Sequence, residues 1–189
     1  MLPDPAAAPA ASAAAPAADA ADVTKIDIRV GRILSCEKHP EADSLYVESI
    51  DLGEPEGPRT IVSGLVKFVE LEAMQNRPVI VLANLKPRNM RGVKSNGMVL
   101  CASNADHTEV EPLAPPEGAP LGERVWFGEG GAEQPEAANP NQVQKKKMWE
   151  AVQPLLKTDE GRVAGFNGQP MLTSAGTVTA ATLAGATIA

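Results

Sequence analysis

Between residues 26 and 103 the chain never runs far without a turn signal, and the stretches between those signals alternate or are apolar throughout. That pattern leaves no room for a long helix and restricts the fold to short strands. IDIRVGRILSC (26–36) sets Ile26, Ile28 and Val30 on one side, with Asp27 and Arg29 on the other. Gly31 interrupts the alternation and marks an expected bulge or sharp coil. KHPEAD (38–43) is a turn cluster, LYVESIDL (45–52) alternates again, GEPEGP (53–58) turns, and RTIVSGLV (59–66) follows. FVELEAMQNR (68–77) has mixed helical character, and RPVIVLANL (77–85) and MVLCAS (98–103) are continuous β runs. Five strands with a short helix between the third and fourth make an all-β chain, expected to close as a five-stranded barrel of the OB type.

The flanks differ in composition. Residues 1–22 hold twelve Ala, and Pro3, Pro5, Pro9 and Pro16 break any helix they would form, so this segment reads as a flexible linker. Residues 106–136 carry eight acids against Arg124 alone, with EVEPLAPP (109–116) and GERVWF (122–127) as short edge strands. NQVQKKKMWEAVQ (141–153) is an expected helix ended by Pro154. GRVAGFNGQPMLT (161–173) is a hairpin turning at Asn167-Gly168, and the tail from Thr173 is uncharged. The expected organisation is a linker over 1–22, a barrel core over 23–105, and a small α+β subdomain over 106–189 packed on the barrel.

Cys36 and Cys101 sit in apolar runs without a ligand-spaced partner, which points to two buried free thiols in a reducing compartment. No run of eighteen apolar residues exists, and MLPDPAAAPA lacks a basic n-region, so neither a membrane span nor a secretory signal is expected. A cytoplasmic setting follows.

The net charge is −7, yet residues 73–105 contain no carboxylate. Within them, LKPRNMRGVKSNGM (85–98) gathers Lys86, Arg88, Arg91 and Lys94 in the connection between the fourth and fifth strands. On an OB barrel that connection borders the face used for oligonucleotides. Cations there can neutralise phosphates and release counterions, while the acidic remainder repels RNA from other faces. A basic loop is otherwise merely solvated. Asn84, Ser95 and Asn96 add neutral hydrogen-bonding groups for phosphate, sugar or base edges, whereas Met98 is expected in the core more than against a base. Lys145, Lys146 and Lys147 form a second basic cluster, toward the positive end of the expected helix.

Nothing in the chain resembles a catalytic centre. His39 precedes a proline in a turn, His107 lies in an acidic loop, and Ser63-Gly64 lacks the nucleophile elbow. No catalytic residue, metal ligand or cofactor is assigned.

Several of these stretches, in order, resemble the tRNA-binding module of the endothelial monocyte-activating polypeptide II type. They are DIRVGRI (27–33), KHPEADSLYVE (38–48), RTIVSGLV (59–66), MQNRPVIVLANLKPRNMRG (74–92), SNGMVLCAS (95–103), LAPPEG (113–118) and KKKMWEAVQP (145–154). The resemblance implies an OB barrel with an appended subdomain, found as an appendix of aminoacyl-tRNA synthetases, mainly the methionyl and tyrosyl enzymes, and in their non-catalytic cofactors. It implies tRNA binding by backbone and shape, with a synthetase in cis or in trans doing the chemistry. The family's Ser-x-x-Met motif matches Ser95 and Met98, and its Asn-Leu-Lys-Pro matches Asn84 to Pro87. Two features depart from the family pattern: a longer segment between Asn139-Pro140 and the lysine run, and the Ala/Thr-rich tail. A subdomain present in cis implies a monomeric module. The other reading of the same family is a protein-interaction module, for assembly or cytokine-like signalling.

Overall fold

The computed structural model describes residues 22–129 and 131–189. The expected linker therefore lies outside the described residues except for Asp22, whose carboxylate accepts from the Thr24 N–H (3.0 Å) and caps a 3-10 turn over Val23–Lys25. The first strands are β1 (Ile28–Lys38), β2 (Tyr46–Asp51), β3 (Arg59–Ser63) and β4 (Pro78–Leu82), with the one-turn helix α1 (Leu71–Met74) between the last two. A hairpin of β5 (Arg88–Met90) and β6 (Val93–Ser95) precedes β7 (Met98–Val99). These strands form a sheet in the order β3-β2-β1-β4-β7. Thr60 O accepts from the Asn96 N–H (2.8 Å), bringing β3 round to the far side of the sheet. The result is a nearly closed five-stranded barrel of mostly β structure, as the alternation required.

The chain's continuous apolar run over β4 now has its reason. Val79 and Val81 point into the barrel with Ile33, Tyr46, Ile50 and Ile61, and Met74 of α1 packs into the same cluster. Ile80 and Leu82 point outward into a second core with Ile28, Val30 and Leu100. A strand buried on both faces cannot alternate. The outer core is completed by β8 (Cys101–Ser103), β9 (Val110–Pro112), β10 (Trp126–Phe127), β11 (Leu156–Thr158), β12 (Ala164–Phe166), β13 (Gln169–Thr173), β14 (Gly176–Thr177) and β15 (Thr187–Ile188). Their order is β10-β13-β12-β11-β15-β8-β9, with β14 on β13. The two acidic-region segments read as edge strands, β9 and β10, do lie at the two edges. Asn167 (φ 49°) and Gly168 (φ 86°) make the expected tight turn between β12 and β13.

Three expectations are corrected. The β1 bulge lies between Ile33 and Ser35, where Leu34 is left 43% exposed, and not at Gly31. Gly31 serves close packing instead, since a Cβ there would sit 2.7 Å from Leu52 Cδ2. The fifth β run is broken at Leu100, so β7 stays in the barrel sheet while β8 joins the outer one. The expected 141–153 helix is two short ones, α2 (Pro140–Lys145) and α3 (Met148–Val152). Lys147 between them is left-handed (φ 50°), which no continuous helix allows.

Candidate nucleic-acid interface

The acid-free connection between β4 and β7 takes its shape from a two-residue hairpin. Arg88 pairs with Ser95, Asn89 with Lys94 and Met90 with Val93, which leaves Arg91-Gly92 as the turn. Both turn residues have positive φ, 56° and 93°, the backbone of a hairpin that follows strand twist. Gly92 adopts it freely, whereas Arg91 does so at a cost of about 1 kcal/mol. The Gly92 N–H donates to Asn89 Oδ1 (2.8 Å) and holds the turn closed. Arg91 is thereby held at the tip.

The hairpin's feet are tied to the barrel by side chains far away in sequence. Arg59 Nη1 donates to Ala83 O (2.7 Å) and to Asn96 O (2.9 Å), one carbonyl on each side of the loop. Its guanidinium is oriented in turn by Glu54, through Nη2 to Oε2 at 3.0 Å. His39, 4% exposed, bonds Met90 O through Nε2 (2.9 Å) and accepts the Glu41 N–H at Nδ1 (3.0 Å). A carbonyl only accepts and an amide N–H only donates, so these partners select the tautomer with the proton on Nε2. His39 and Arg59 are the supports that sequence reasoning missed. A histidine beside a turn proline was the available signal, but its partner is 51 residues away.

Arg59→Ala is expected to cost about 1–3 kcal/mol, because it leaves Glu54 and two carbonyls without their donor. Hydrogen exchange should quicken selectively in residues 84–96. Unchanged protection there would show that Arg59 does not hold the loop.

The positions singled out in the sequence divide into two groups. Lys86, Arg88, Arg91 and Lys94 are exposed. The ion pairs among the described residues are Arg29–Asp27, Arg59–Glu54 and Arg124–Asp27, and none involves those four cations. The pleat puts Arg88 on one face of the hairpin and Lys94 on the other, with Arg91 at the tip. Asn84 and Ser95 differ from the expectation that they face RNA. Asn84, 6% exposed, accepts the Asp27 N–H and donates to Lys25 O and Ala138 O. Ser95, 3% exposed, accepts the Val62 N–H (2.9 Å) and donates to Gly97 O (3.1 Å). Their polar groups are occupied inside the fold. Asn96 remains part-exposed, and Met98 packs against the outer core.

Lys145, Lys146 and Lys147 are exposed on the junction of α2 and α3. Lys145 lies in the last turn of α2 and Lys146 is its C-cap, so these two face a negative helix end and not the expected positive one. A groove of about 530 Å³ is lined by Lys86, Arg88 and Met98 together with Gln144, Trp149 and Glu150, so the hairpin, β7 and the region of α2 and α3 share it.

A β-barrel whose one rim loop presents four exposed cations, unpaired among the described residues, on an otherwise acidic body has the charge layout that suits a polyanion. Comparison with known proteins is more specific. The family described as "Putative tRNA binding domain" matches residues 28–124, and the chain belongs to it. It is 56% identical over 154 residues to a probable methionine–tRNA ligase of Oryza sativa subsp. japonica, covering 82% of this chain and 19% of that protein. It is 52% identical over 145 residues to the tRNA-aminoacylation cofactor arc1 of Schizosaccharomyces pombe, covering 76% of this chain and 31% of that one. Among solved structures, the C-terminal domain of Plasmodium vivax p43 superposes with a TM-score of 0.82 at 36% identity, covering 89% of this chain and 99% of that chain. The chain thus spans well under half the length of these two curated relatives.

Proposed function

We propose that the chain is a non-catalytic module that recruits tRNA, by backbone and shape recognition, to an aminoacyl-tRNA synthetase joined in cis or met in trans. The observation that carries this is the hairpin: four exposed cations without carboxylate partners among the described residues, on a loop whose feet are pinned to the barrel. Cations on both faces and at the tip suit insertion between two phosphate backbones, as at a groove or corner of folded RNA. Lys86, Arg88, Arg91 and Lys94 make the phosphate contacts, with Lys145 to Lys147 as a second set across the groove. Asn84 and Ser95 act from inside, by holding the loop. Residues 23–105 present this face and residues 106–189 brace it. The ligases and cofactors among the relatives support the reading, and the two buried free thiols accord with the cytoplasmic, monomeric setting that it includes.

Filter binding of total tRNA at several salt concentrations tests it. With about four phosphates on the hairpin, log affinity should fall against log salt with a slope of roughly −3 to −4, and more steeply as the lysine set engages as well. A flat response, or no retention at low salt, removes the proposal.

A further inference from the structure

We propose that the groove beside the hairpin receives one unstacked nucleobase of the bound RNA, with the adjoining phosphate on Lys86 and Arg88. This rests on the tRNA-binding reading and extends it from backbone to base. Much of the groove's lining is apolar, with Leu65, Met90, Met98 and Val99 among it. The lining includes Trp149, its one aromatic, whose side chain is part-buried against the outer core, not sealed within it. The chain has only two tryptophans, and this one shares the groove with Lys86 and Arg88. An indole flanked by methionines offers a surface on which any base can stack. Charge gives the slot a direction. Lys86 and Arg88 occupy the hairpin rim, while Glu150 occupies the helix rim beside Gln144. A phosphate is drawn to the first and repelled from the second, which directs the base toward Trp149 and its polar edge toward Gln144 and Glu150.

Gly64 provides a way to obstruct the slot without touching a charge. It lines the groove, its φ is ordinary, and a Cβ there would meet only Leu45 Cδ2 at 3.9 Å. Gly64→Leu should weaken binding of total tRNA about fivefold or more while leaving the log–log salt slope unchanged. In a Trp126→Phe background, where Trp149 is the single indole, total tRNA should quench the emission. A short single-stranded RNA should do the same, and its abasic counterpart should not. If Gly64→Leu binds tRNA with unchanged affinity and slope, and emission does not move, the base slot is overturned while the tRNA-binding reading stands. Emission that responds to an aminoacyl-tRNA synthetase and not to tRNA would assign the groove to protein and overturn it equally. Absence of tRNA binding by the unaltered protein at low salt would remove both.

Discussion

Replacing Lys86, Arg88 and Arg91 together by alanine is expected to weaken tRNA binding by about 10²–10³-fold at 0.1 M salt. Each phosphate neutralised releases close to one counterion, which at that concentration contributes about eightfold, and three such contacts multiply. The log–log salt slope should shrink in step, by about 2 to 3 in magnitude. Stability should change little, since all three side chains are exposed and outside any ion pair. That combination separates phosphate contact from a folding defect, because a misfolded protein would lose its thermal transition as well. Affinity and slope both retained in the triple variant would mean that RNA lands elsewhere.

The second large effect concerns the barrel interior. Glu48 is completely buried on β2. Its Oε1 accepts from the Ser63 hydroxyl (2.7 Å), and its Oε2 has no partner. Burial pushes its carboxyl up to about 8, only partly countered by Ser63. Cys36 and Cys101 are likewise pushed up to about 12 by burial. The barrel therefore holds a neutral acid at pH 7. In the unfolded chain the same carboxyl ionises near 4.5, so between about 4.5 and 8 the folded state binds the extra proton. Stability must then fall as pH rises through that window and level off above it, by up to about 1.4 kcal/mol per pH unit and of order 3–5 kcal/mol in all. Urea unfolding at pH 5.5 and 8.5 should show this loss in the wild type and a much flatter response in Glu48→Gln. Equal pH responses in the two proteins would show that Glu48 does not carry it.

Local chemistry made much of the fold legible. Alternation in IDIRVGRILSC and LYVESIDL, the turn clusters between them and the Asn167-Gly168 hairpin all report on neighbouring residues, and the structure contains each. Charge was legible for the same reason: exposure of Lys86 and Arg88 needs no partner. The misses share a different origin. MVLCAS is apolar on both sides, so nothing in it shows that Leu100 is where the strand changes sheets. Asn84 and Ser95 look like free polar groups until the fold brings Asp27 and Val62 to them, over separations of 57 and 33 residues. Neutral polar residues declare their partners only in three dimensions. Lys147 was hidden for a local reason, because a left-handed lysine has no compositional mark.

The last strand of the fold lies between two much earlier ones. β15 pairs with β8 on one side and β11 on the other, and Ile188 is fully buried in the outer core. During translation, residues 28–103 leave the ribosome with the outward faces of β1 and β4 still uncovered. Leu113, Val125 and Ala138 join that core from residues made next, and Ile188 joins it last. The outer sheet is therefore continuous only once Thr187 and Ile188 sit between β11 and β8, which makes its assembly order differ from the order of the chain.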